Sequence, residues 1–118
     1  MAFSRKEREI IFGRDGRMCV ACGATSPLEV HHRSNRGMGG SKHHESLPGG
    51  LTLCSWCNCL LEVDAMFAAQ GRLYGWKVHR NRATTPSEVP IYHRPLREWF
   101  LLGDDGSRLI VETPHEAT

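Results

Sequence analysis

Apolar positions along the chain fall into short patterned stretches separated by polar and glycine-bearing connections. Ser4 followed by Glu7 has the form of a capping box, and Ile10, Ile11 and Phe12 supply the apolar side of a short helix ending near Gly13. Residues 14–17 read as a turn. Leu28 and Val30 then share one side of an alternating segment while Glu29 and His31 share the other, which predicts a short strand with His32 at its end. From residue 33 to 50 the chain is polar, with Gly37, Gly39 and Gly40 around Met38. A loop of that length in a small domain is more often functional than idle. Leu51 and Leu53 mark the buried side of a second strand. Ser55 is placed to cap a helix running to about Gln70 and halted by Gly71, with Leu60, Leu61, Met66 and Phe67 as its packing stripe.

Beyond Gly71 the pattern thins. Residues 73–78 form a candidate strand, the region of Pro86 and Pro90 a connector, and residues 99–102 a further apolar element. Asp104, Asp105 and Gly106 give a turn signal before residues 108–111, so a terminal hairpin is expected. The organisation is one domain, 1–118, with strand, loop, strand and helix in that order within residues 28–70 and a C-terminal extension over 71–118.

Composition sharpens this picture. A chain of 118 residues has room for one hydrophobic core, and one carrying 12 glycines gives up extra entropy on folding, so a staple is expected. The five cysteines are the candidates. No apolar stretch approaches the roughly 20 residues of a spanning helix, and the opening residues lack the apolar segment of a signal peptide. A cytoplasmic location and no membrane partner are therefore expected, and in a reducing compartment closely paired cysteines favour metal over disulfides.

Cys19 and Cys22 form one Cys-x-x-Cys pair, Cys54 and Cys57 a second, with 31 residues between them. Each pair offers two soft ligands from one tight turn, and four thiolates satisfy a tetrahedral Zn²⁺. Such a site would clamp the N-terminal knuckle to the start of the helix, so that metal binding contributes to folding. Cys59, two residues further on, points to another side of the helix and reads as a small core residue.

His31 and His32 are the second constellation. Alternation along a strand end would turn one towards a metal and the other towards a substrate. Asn58 directly follows Cys57, and its amide oxygen is a neutral ligand for a hard divalent ion. Glu62 lies one turn on, on the same helix face, as a helper at the metal or as a solvated helix residue.

Cys-x-x-Cys-Gly, then Val30-His31-His32-Arg33, a glycine-bearing loop, and Leu51-Thr52-Leu53-Cys54-x-x-Cys57-Asn58 together resemble the zinc-containing HNH endonucleases, especially the small ones of phages and prophages. The resemblance implies a small α+β fold with a ββα-metal core within residues 19–64, a four-cysteine zinc knuckle, a short N-terminal helix and a C-terminal strand extension. It implies that His31 is the first ligand of a catalytic Mg²⁺, Mn²⁺ or similar ion, Asn58 the second, and His32 the general base for hydrolysis of DNA to 5′-phosphate ends. Such a base must be neutral, so the rate should fall below about pH 6.5. Where the family often has Asn, five residues before the third cysteine, this chain has Gly49; Asn35, His43 or His44 would then take over orientation of the base. A phage-encoded protein of this kind would work in the bacterial cytoplasm, in DNA processing or packaging.

The charge distribution agrees with a polyanionic partner, double-stranded DNA, with branched and nicked forms included. The formal net charge is only +2, yet residues 31–44 hold Arg33, Arg36, Lys42 and four histidines without an acid, whereas residues 98–116 are mainly acidic. Arg33, Arg36 and Lys42 on the loop, and Lys77, Arg80 and Arg82 further on, are the candidate phosphate contacts. Trp56, Trp76 and Trp99 read as core or subunit-contact aromatics rather than base-stacking platforms. A homodimer or a packaging-machinery partner stays open. The alternatives are a zinc-stabilised nucleic-acid-binding module without catalysis and a structural zinc protein that binds another protein.

Overall fold

The computed structural model describes residues 3–34, 46–78 and 85–114. Among them the chain forms three helices and two small antiparallel sheets. Helix α1 (Arg5–Arg14) begins as expected: the Ser4 hydroxyl accepts from the Glu7 N–H while Glu7 Oε1 accepts from the Ser4 N–H, at 3.1 and 2.7 Å. Strands β1 (Leu28–His32) and β2 (Gly50–Cys54) pair antiparallel, with His31 opposite Leu51 and His32 opposite Gly50. Helix α2 (Ser55–Val63) starts without a linker after β2. A strand pair followed directly by a helix is thus the centre of the fold.

Four arginine–carbonyl and arginine–carboxylate bonds lock α1 to this centre. Arg14 Nε and Nη2 donate to the two carboxylate oxygens of Asp15, and the same guanidinium reaches the carbonyls of Leu47 and Gly50. Asp15 in turn accepts from the Thr52 N–H of β2 at 2.9 Å. Both side chains are buried, so the pair is satisfied throughout, as a buried ion pair must be to be tolerated. The sequence pattern marks this segment only as a turn.

The long helix expected over 55–70 is two helices. Asp64 has extended backbone angles, closes α2 through its N–H to the Leu60 carbonyl, and opens α3 (Ala65–Leu73) by accepting from the Phe67 N–H at 2.9 Å. Short acidic side chains compete with the helix in this way, ending one and capping the next. The cap of α2 is likewise one residue earlier than expected, at Cys54, with Ser55 inside the helix. Gly71 does not stop a helix: it lies within α3, where an added Cβ would meet Leu61 Cδ2 at 2.6 Å, so it permits close approach of α2 and α3.

No strand forms over 73–78. Leu73 ends α3, and the chain turns through Gly75, at φ +77°, where a Cβ would collide with the Pro90 carbonyl. The C-terminal hairpin is present as β4 (Glu98–Leu102) and β5 (Arg108–Val111), joined by a third strand, β3 (Ile91–His93), that the flanking prolines had hidden. The shared core combines Val20, Leu51, Leu53, Leu61 and Trp76 with Ile91, Phe100 and Leu102 from this second sheet. Two residues assigned to packing are exposed instead, Met66 (85%) and Cys59, and of the core and subunit-contact alternatives for Trp56 its 71% exposure removes the core. Among the described residues no helix is long and apolar enough to cross a membrane.

Candidate metal centre and the histidine strand

The ligand atoms of Cys19, Cys22, Cys54 and Cys57 all lie within 4.8 Å of one another. The first pair sits on a knuckle closed by the Gly23 N–H to the Cys19 carbonyl, with Gly23 at φ +83°. The second sits at the β2–α2 junction, where the Cys54 sulfur also accepts from the Cys57 N–H at 3.4 Å. Cys22 and Cys54 sulfurs are 3.7 Å apart. A tetrahedron with zinc–sulfur bonds of about 2.3 Å has edges of about 3.8 Å, so the spacing fits this ion. Burial pushes the Cys19 and Cys57 thiols up, the latter helped by the charge of Cys19. Burial acts on Cys54 too, but the Cys57 amide and the neighbouring thiols outweigh it and hold that group low. A divalent cation removes this conflict by deprotonating all four. With four protein ligands and no open position, the cluster can hold a structural metal ion such as zinc.

About the histidines, the strand pleat separates His31 from His32. His31 is buried, and its Nε2 lies 2.9 Å from the Trp76 carbonyl. Because a carbonyl only accepts, Nε2 carries the proton and Nδ1 the lone pair. Burial above all brings its pKa down to about 4, with Trp76 opposing and Lys77 assisting, so the ring is neutral at physiological pH. His32 turns to the opposite side and stacks on Phe3, with ring centres 4.8 Å apart and planes at 22°.

Glu29, two residues before His31 and on its side of β1, reaches the first turn of α2. Its carboxylate oxygens accept from Asn58 Nδ2 at 2.6 Å and from the Ser55 hydroxyl at 2.7 Å. These bonds, Asn58 foremost, hold its carboxyl below the ordinary range. Glu29 and His31 thus share the face of β1 whose Glu29 end meets the first turn of α2. Glu62, one turn along α2, pairs with Lys77 at 3.6 Å. Sequence reasoning misses Glu29 although its position is readable: alternation puts it beside His31, but nothing in the pattern indicates which helix residue it meets.

Arg33 is a correction. Assigned to phosphate, it is instead 1% exposed, and its guanidinium donates to the carbonyls of Gly75, Pro48, Pro86 and Val89 at 2.7–3.0 Å. With its donors spent on the interior, it ties the end of β1 to the turns before β2, after α3 and before β3. Burial, with Arg14 nearby, lowers its pKa to about 9, leaving it charged at neutral pH. Gly49 is buried in a 3-10 turn, Leu47–Gly49, and its carbonyl accepts from the Arg33 N–H at 2.8 Å. Lys77 is engaged with Glu62 rather than standing alone as a cation. Asn35, Arg36, Lys42, His43, His44, Arg80 and Arg82 lie outside the described residues. Comparison of the chain with protein-family models, with curated proteins and with solved structures yields no match.

Proposed function

We propose that the protein is a metal-dependent DNA endonuclease of HNH type, its β1–β2–α2 unit being a ββα-metal core stapled by zinc. The observation that carries the reading is the pairing of two donors by their outer bonds. His31 gives its Nε2 proton to the Trp76 carbonyl, leaving Nδ1 as its lone-pair nitrogen, while Asn58 gives one Nδ2 proton to Glu29, leaving Oδ1 as its acceptor. A metal-binding imidazole characteristically donates its other N–H to a carbonyl or carboxylate, which fixes tautomer and ring orientation. The neutral state of His31 meets the further requirement that a ligand be deprotonated.

His31 and Asn58 would hold a Mg²⁺ or Mn²⁺ ion, which when bound neutralises charge developing on the phosphate and the leaving oxygen. His32, held apart on the other side of the strand end by Phe3, takes the proton of the attacking water. DNA is held by the basic runs. Arg36, Lys42, Arg80 and Arg82, which lie outside the described residues, would neutralise its phosphates.

The test is supercoiled plasmid incubated with the purified protein in Mg²⁺, Mn²⁺ or EDTA, beside His32→Ala. Nicking that needs the divalent ion and is lost in His32→Ala, with DNA binding retained, is the expected result. Equal nicking by His32→Ala removes that residue from its role. Retarded DNA without nicking in either ion overturns the enzyme and leaves a zinc-stabilised binding module.

A further inference from the structure

Both oxygens of Glu29 are occupied by α2, and the two bonds differ in kind. Ser55 Oγ can rotate to donate or accept, whereas the Asn58 amide has one end that only donates and one that only accepts. An ionised carboxylate only accepts. At 2.6 Å it therefore admits one orientation of the Asn58 amide, nitrogen inwards and oxygen away from β1. The charge on the acceptor makes this bond stronger than one between neutral groups. Its backbone is equally constrained: Glu29 lies in the paired strand opposite Leu53, one residue before the metal-cluster residue Cys54, and Asn58 follows Cys57. Strand register and cysteine cluster thus place both ends of the bond.

We infer that Glu29 is the positioning residue of Asn58, selecting the amide rotamer in which Oδ1 faces a divalent cation; this rests on the endonuclease reading. Glu29 does for Asn58 what the Trp76 carbonyl does for His31. Ser55, on the other carboxylate oxygen, keeps Glu29 from rotating away. Loss of such an outer partner typically weakens metal affinity about 10–100-fold.

The variants Glu29→Met and Glu29→Gln separate the possibilities, since Gln keeps an acceptor for Asn58 and a donor for Ser55 while removing the charge. Each is titrated with MnCl₂ as full-length zinc-loaded protein, reading paramagnetic broadening of the Asn58 side-chain amide signals and the Mn²⁺ concentration for half-maximal nicking. Expected for Glu29→Met is a rise of about tenfold or more in both midpoints, with thermal midpoint and zinc content unchanged. Glu29→Gln should restore most of the wild-type midpoint. If Glu29→Gln falls as far as Glu29→Met, the carboxylate acts by its charge or binds the cation itself, and the positioning role is overturned. Unchanged midpoints in both variants overturn it as well, leaving a tie between strand and helix. Failure of the endonuclease reading looks different: the wild-type protein then neither broadens with Mn²⁺ nor nicks, while the amide signals still report whether Asn58 is bonded to Glu29.

Discussion

The cysteine cluster and the proposed His31–Asn58 site share one β1–β2–α2 unit, with Asn58 next in sequence to Cys57, and are built on opposite plans. In the cluster the four sulfurs converge on each other, within 4.8 Å, and burial makes that convergence costly without a cation. In the proposed site the donors would be oriented from behind, His31 by a carbonyl and Asn58 by a carboxylate. A closed set of soft ligands fixes structure, whereas under the endonuclease reading a sparse set of neutral donors with its outer bonds made would leave room for a phosphate.

Removing the metal from the cluster should give the largest effect. Structural zinc binding is worth on the order of 10–16 kcal/mol in small sites, as much as the whole stability of a domain. Chelation, or Cys57→Ser, is expected to collapse the far-ultraviolet circular dichroism of α2 and to release one zinc per chain by elemental analysis. An apo protein that keeps its thermal transition would erase the contrast between the two sites.

Arg33→Met comes next. It leaves four inward carbonyls without their donor, an expected loss of about 3 kcal/mol and a fall of about 10–20 °C in thermal midpoint. Under the endonuclease reading, DNA retention at a temperature where the variant is folded should not change. A loss of DNA affinity with stability intact would return Arg33 to the surface.

His31 gives an acid-side test of similar size. An unfolded histidine titrates near 6.5 and the folded one near 4, so between these values the unfolded chain holds the extra proton and stability rises with pH. The contribution is complete above about 6.5 and is lost as pH falls through 4, about 3 kcal/mol in all. Denaturant melts of wild type against His31→Gln, in excess zinc, should show the difference between the two growing from pH 4 to 6.5 and then levelling. A flat difference would mean the ring is not held neutral by burial. The smallest effect is Ser4→Ala, about 1 kcal/mol from the broken capping box, with the metal titrations unmoved.

Much of the first sheet and of the cluster was legible because the signals are local. The Ser4–Glu7 box, the alternation through Leu28 and Val30 and the spacing of the cysteines each act within a few residues. The break at Asp64 was equally local but was outweighed by the apolar stripe on both sides of it. What sequence could not supply were bonds across the fold. Arg33 resembles any surface arginine until four carbonyls from distant turns converge on it. Glu29 resembles a solvated strand residue until α2 is laid over it, and Gly71 resembles a stop until Leu61 is seen against it.

The sulfur of Cys54 is both a member of the cluster and the acceptor that caps α2. The first helical turn is the costly step in forming any helix, and here the atom that makes it easier is one the ion must claim. If the cluster takes up zinc, nucleation of α2 and capture of the ion would be a single event, and refolding of the reduced chain should accelerate with free zinc until the ion no longer arrives last. Alkylation of that one sulfur would strip the domain of its ion and of its helix start together.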